Sequence, residues 1–170
     1  SSIPIVCAYH LFHDRNVIQR GASALLNARL LPVIDGFLKA VRSSMQLRNL
    51  NYPVVIMRSD GSLMNETYAL NHPVETLLCG PAASVMGGAY LGHYPKSVII
   101  DMGGTTSDIA LVKDHLPVRA DNGIQIGSWR TFVKGLYVDT FGLGGDSEIC
   151  YQENNLFLSD RRVMPLCILA

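Results

Sequence analysis

Between residues 16 and 48 the apolar side chains Leu25, Leu26, Leu30, Val33, Ile34, Phe37, Leu38, Val41 and Met45 recur at steps of three and four. This spacing predicts a long amphipathic helix with one stripe against a core. Pro32 falls inside it and predicts a kink or a break into two helices, because proline removes one backbone bond and crowds the preceding turn. A Val/Ile run at residues 53–57, stopped by Ser59-Asp60-Gly61-Ser62, reads as a buried strand and a turn. A second helix is expected from near Pro73 through Tyr90. Its glycines, Gly80, Gly87 and Gly88, allow close approach to a neighbour at about 1 kcal/mol each. Two apolar strands, at residues 97–101 and 108–112, flank a glycine turn and predict a β-hairpin. Residues 118–138 alternate less cleanly and are read as strands and connections. Gly142-Leu-Gly-Gly-Asp-Ser147 is a second glycine-rich loop.

The chain of 170 residues, 48% hydrophobic and 16% charged, has the size and apolar content of one folded domain. Fourteen Lys and Arg balance fourteen Asp and Glu, which leaves no basic stripe for nucleic acid. The four cysteines, Cys7, Cys79, Cys150 and Cys167, form no C-x-x-C pair, so a zinc ribbon and a disulfide framework are both disfavoured and a reducing cytoplasm is expected. No run approaches the roughly 18 apolar residues of a membrane span, and no signal peptide is evident. The apolar ends, and a start without Met, suggest an internal fragment of a larger protein.

The chemistry concentrates in Asp101-Met-Gly-Gly-Thr-Thr-Ser-Asp108. Gly103 and Gly104 permit positive φ and bring bare amides toward an anion, Thr105, Thr106 and Ser107 add hydroxyl donors, and Asp101 and Asp108 suit Mg²⁺. A carboxylate beside a polyphosphate repels it, so a metal between them is part of the reading. The plainer alternative is a tight hairpin whose glycines serve only the turn. Against it stand the apolar runs at 98–100 and 109–112, expected to bury the approach to each carboxylate.

These residues resemble the phosphate hairpins of sugar kinases, heat-shock chaperone ATPases and actin. More narrowly, four ordered blocks resemble the hydantoinase A and 5-oxoprolinase family: Asn27-Ala-Arg-Leu-Leu-Pro32, Arg58-Ser-Asp-Gly-Ser-Leu-Met64, Pro73-Val-Glu-Thr-Leu-Leu-Cys-Gly-Pro-Ala-Ala83 and residues 101–112. The resemblance implies an α/β fold, a ribonuclease-H-like, actin-type ATPase lobe with a mixed sheet and flanking helices, and ATP with Mg²⁺ as cofactors. It implies that 101–108 is the second of two phosphate hairpins, with Gly142, Gly144 and Gly145 beside the nucleotide. The activity it implies is ATP-dependent opening of a small cyclic amide; a nucleotide-operated binding module and a small-molecule kinase are the alternatives. A missing lobe, from the same parent protein or another subunit, would complete the cleft, and homo-oligomers would be possible.

Two departures stand out. Cys79 occupies a place where the family usually has Ser, and is read as a small apolar residue rather than a nucleophile. Asp146 replaces a glycine of the family's later loop and adds negative charge near the expected nucleotide. Glu75, read as catalytic, either positions the attacking water or, as the reading leans, is a carboxylate favoured at a helix start. His10, His13 and Asp14 form a weak metal candidate, because their spacing loses its meaning outside a helix.

Overall fold

In the computed structural model, which describes residues 5–120, 122–165 and 168, a single helical turn, α1 (Ala8–Leu11), precedes the long helix α2 (Val17–Leu47). Asn16 caps α2: its Oδ1 accepts the amides of Ile18 and Gln19, each at 3.1 Å, an arrangement that typically stabilises a helix by about 1 kcal/mol. The helix passes through Pro32 as one element of 31 residues. The break expected there is absent, and Asn27 and Ile34, buried on either side of the proline, fix both halves.

The described residues gather into two compact units. Those up to Ala83 join Arg119–Tyr137 in the first, and Ser84–Val118 joins the described residues from Val138 onward in the second.

In the first unit, β1 (Val55–Met57) pairs antiparallel with β2 (Leu63–Asn65), and α3 (Glu66–Asn71) leads into a 3₁₀ turn, Pro73–Thr76. Val74, Ile124 and Val133 form its core, with Phe12, Leu26 and Leu77 packed around them. The stripe α2 buries is more polar than its spacing predicts. Ile34 and Leu38 are buried as expected, but Leu25, Val33 and Phe37 are exposed, and Ser23 and Asn27 are fully enclosed. Burial of these polar groups is offset by bonds to distant backbone. Gln19 Nε2 donates to the Thr131 carbonyl at 2.5 Å, Ser23 Oγ accepts the Phe132 amide at 3.0 Å, and Asn27 Oδ1 accepts the Val74 amide at 3.1 Å. The strand expected to be buried, β1, also has an exposed residue, Val55.

The helix expected from Pro73 begins later, as α4 (Cys79–Gly92). Leu78 adopts φ +59°, left-handed backbone that no α-helix accommodates, so the 3₁₀ turn and α4 are separate elements.

In the second unit, β3 (Lys96–Met102) and β4 (Ser107–Lys113) make the expected hairpin, with Asp101 opposite Asp108 and Met102 opposite Ser107. The other edge of β4 pairs with β5 (Val138–Phe141), and with the short strand Leu116–Pro117. A second hairpin joins β6 (Ser147–Gln152) to β7 (Asn155–Arg162). Every pairing among the described residues is antiparallel. Of the four glycines in α4, only Gly88 makes the close approach: a Cβ there would lie 3.0 Å from Ile99 of β3, while Gly80 and Gly87 have open space and Gly92 would meet Tyr94 only at an ordinary 3.7 Å. Alternate residues of β3 point away from that contact, and Val98 and Ile100 are exposed. The apolar run leading to Asp101 is therefore not buried.

Candidate functional site: a double glycine loop

The turn at residues 103–106 closes β3 onto β4 with a bond from the Gly103 amide to the Thr106 carbonyl at 2.9 Å. Neither Gly103 nor Gly104 has positive φ. A Cβ on Gly103 would lie at an ordinary 3.6 Å from the Thr106 carbonyl, so crowding falls on Gly104 and on the facing Gly144. A Cβ on Gly104 would sit 2.8 Å from the Asp146 carboxylate, and one on Gly144 would sit 2.5 Å from the Gly104 carbonyl carbon and oxygen. The loop 142–147 lies against the turn and is bonded to it backbone to backbone. Gly145 N donates to the Gly103 carbonyl at 2.9 Å, Asp146 N donates to the Gly104 carbonyl at 2.7 Å, and Ser107 Oγ donates to the Leu143 carbonyl at 2.6 Å.

These bonds sort the amides of the two loops. Gly144 N is taken by Ser147 Oγ at 3.0 Å, and Gly145, Asp146 and Ser147 are all engaged within the unit. By contrast, the amides of Gly104, Thr105 and Thr106 make no hydrogen bond among the described residues. Three adjacent unspent donors at the tip of a hairpin are open to an anion. Gly144 and Gly145 brace that tip from behind, and their own amides are occupied; at Gly142 a Cβ would meet nothing within 4 Å.

Below the turn, Asp101 faces Asp108, and Thr140 of β5 faces Asp108 from the other side, so the three form a row across neighbouring strands. Thr140 Oγ1 donates to Asp108 Oδ1 at 2.6 Å, fixing that carboxylate. Arg162, the last residue of β7, reaches the turn, its Nη1 donating to the Thr105 carbonyl and to Ser147 Oγ, each at 3.2 Å. Sequence reading missed both residues. Thr140 becomes visible only with strand register, and Arg162 lies beyond the recognised blocks.

Glu75 belongs to the first unit, in the 3₁₀ turn rather than at the start of α4. It is buried, forms an ion pair with Arg58, and accepts the Tyr68 hydroxyl at 2.9 Å. Burial and the adjacent Glu75 carboxylate raise the Tyr68 pKa, with Arg58 opposing. The Ser59 amide and hydroxyl both donate to the Glu75 carbonyl at 2.9 Å, which ties the Arg58–Ser62 turn to the same network. Cys79 is half-buried and shares an apolar recess of about 250 Å³ with Leu30, Ile34 and Phe37, as expected of a small apolar residue. No group of three or more His, Cys, Asp or Glu side chains among the described residues is arranged to hold a metal, the segment from His10 to Asp14 included. Cys167 lies outside the described residues. No described helix is long and apolar enough to cross a membrane.

The model of the hydantoinase/oxoprolinase family matches residues 20–161. The chain belongs to that family. The family match continues well past Val112, through the second glycine loop and into β7. Its relatives include an uncharacterized protein of Methanocaldococcus jannaschii, 26% identical over 75% of this chain and 19% of that protein. Caprolactamase subunit alpha of Pseudomonas jessenii is 25% identical over 84% of this chain and 21% of its own length. 5-Oxoprolinase 1 of Arabidopsis thaliana is 29% identical over 79% and 11%. The nucleotide-free structure of an acetone carboxylase, from work on ATP-dependent acetone carboxylation, superposes with a TM-score of 0.72 at 17% identity, over 91% of this chain and 22% of that one. The expected α/β fold is thereby borne out. This hydantoinase/oxoprolinase chain spans about a fifth or less of the length of the curated relatives it matches.

Proposed function

We propose that this chain is an internal part of a hydantoinase/oxoprolinase-type enzyme, where it contributes a phosphate-binding hairpin to the ATP cleft of an ATP-dependent cyclic-amide hydrolase. The observation that carries this reading is the row of unspent amides at Gly104, Thr105 and Thr106. Donors left exposed by a turn that is otherwise bonded on every side are preorganised for phosphate oxygens at little reorganisation cost. The hydroxyls of Thr105 and Thr106 extend the donor set, while Ser107 is committed to the Leu143 carbonyl and shapes the turn.

Magnesium fits the same place. Asp101 and Asp108 face one another across the ladder, and a cation between them would offset their mutual repulsion and that of a phosphate chain. ATP, when bound, would supply the phosphoryl group that makes an amide carbonyl susceptible to attack by water. The chain's own contribution is to hold the polyphosphate by Gly104–Thr106 amides and to hold magnesium by the paired carboxylates. Similarity to a caprolactamase subunit and a 5-oxoprolinase supports a small lactam or related cyclic amide as substrate. Their greater length supports completion of the cleft by further parts of a parent chain or a second subunit. The free thiols Cys7, Cys79 and Cys150 suit a reducing cytoplasm.

The test is turnover of Mg-ATP by the intact protein with candidate lactams, with product masses separating ring opening from a released phosphorylated product. ATP hydrolysis stimulated by a cyclic amide supports the reading. Stimulation by a protein partner alone, with no ring-opened product, would replace it with a nucleotide-operated module.

A further inference from the structure

We propose that Arg162 is a phosphate-contacting residue that grips the polyphosphate bound at the Gly104–Thr106 turn, an inference that rests on the reading of that turn given above. Its backbone is fixed at the rim of the double loop: Arg162 is the ladder partner of Ser147, and the next amide, Val163 N, donates to the Asp146 carbonyl at 2.8 Å. Its side chain is fixed too, through Nη1, which donates to the Thr105 carbonyl and to Ser147 Oγ at 3.2 Å each. A guanidinium has five N–H donors. With Nη1 committed to the turn, the edge formed by Nε and Nη2 carries no bond among the described residues, and that edge is one a phosphate accepts in bidentate fashion.

Charge leads to the same assignment. Arg162 makes no ion pair among the described residues, whereas its neighbour Arg161 faces Glu148 with Nη1 3.7 Å from Oε1. The turn itself carries the carboxylates of Asp101, Asp108 and Asp146, all of which oppose a phosphate chain. The lysines of the hairpin, Lys96 and Lys113, pair at its far end, about 20 Å from the turn at the usual strand rise. Arg162 is thus the cation that the second unit places at the turn, and its charge is unspent until an anion arrives.

The test uses the intact protein, with Arg162→Gln and Arg162→Lys, and calorimetric titration with Mg-ATP, magnesium pyrophosphate and adenosine beside ligand-free thermal unfolding. In the Gln variant, ATP and pyrophosphate should each bind about ten-fold or more weakly, adenosine should bind as in wild type, and the ligand-free midpoint should not move. The Lys variant should recover part of the loss, since it keeps the charge and lacks the fork. A Gln variant that binds ATP as wild type does would overturn the role of Arg162 and leave the hairpin reading standing. So would a variant that loses adenosine, ATP and ligand-free stability together, because a residue that only braces the Thr105 carbonyl predicts that pattern. Wild-type protein that binds neither Mg-ATP nor pyrophosphate would overturn the hairpin reading and this inference with it.

Discussion

Asp101 and Asp108 are direct cross-strand partners, so two carboxylates share one face of the hairpin immediately below its glycine turn. Like charges placed opposite one another in a ladder destabilise it by roughly 0.2–1 kcal/mol. Under the proposed function, the pair would trade some stability for cation binding. In the intact protein, Asp101→Asn should leave the metal-free melting temperature unchanged or slightly raised, and should abolish both the stabilisation by Mg-ATP and its turnover. A variant that melts lower without metal, yet still responds fully to Mg-ATP, would contradict the role assigned to the pair.

Thr140 holds Asp108 by a 2.6 Å bond to a charged acceptor. Hydrogen bonds to charged groups contribute about 1.5–3 kcal/mol when sheltered, and less in the exposed setting of Thr140. Thr140→Val should weaken magnesium binding several-fold, seen as a higher magnesium concentration for half-maximal ATP turnover. Thr140→Ser, which keeps the hydroxyl, should behave as wild type.

Gly144 and Gly142 give a matched steric comparison within one loop. A Cβ at 144 would meet the Gly104 carbonyl and the Thr105 amide at 2.5–2.6 Å, backbone that cannot move without opening the turn. Gly144→Ala should cost about 1–3 kcal/mol, the usual range for overpacking. Gly142→Ala, with nothing within 4 Å of its Cβ, should be nearly silent. Chemical denaturation of both variants checks the contrast.

Asp60 gives the first unit a pH signature. Burial alone would raise its pKa, but the hydroxyl and amide of Ser62 and the charges of Arg58 and Arg119 outweigh burial, and the net shift is downward. A carboxylate held below its ordinary range contributes stability that is fully present above the unfolded-state pKa and is lost as the pH falls through the folded value. Asp60→Asn should therefore be less stable than wild type at neutral pH, and the difference should shrink on acidification below the ordinary aspartate range. Urea unfolding of both proteins from pH 7 downward measures it.

The hairpin was legible in the sequence because its signals are local: two apolar runs, two glycines between them and a carboxylate at each strand end. The break at Leu78 was not, because a leucine with positive φ leaves no mark on composition. Nor was the polar face of α2. Gln19, Ser23 and Asn27 look like solvent residues until their partners, 47 to 112 positions away, are known. The two glycines of the turn were recognised, but for backbone freedom; neither has positive φ, and the structure shows crowding, by Asp146, at Gly104 only. Glu75 was read as a helix-start or water-positioning group, and the arginine that pairs with it is 17 positions upstream.

Amide hydrogen exchange on the intact protein, with and without saturating Mg-ATP, addresses the turn itself. The amides of Gly104, Thr105 and Thr106 make no bonds to described residues and should exchange freely in the ligand-free protein, then become strongly protected when Mg-ATP binds. Protection that arises elsewhere in the protein while these three amides continue to exchange at the ligand-free rate would show that the nucleotide is not held by this turn.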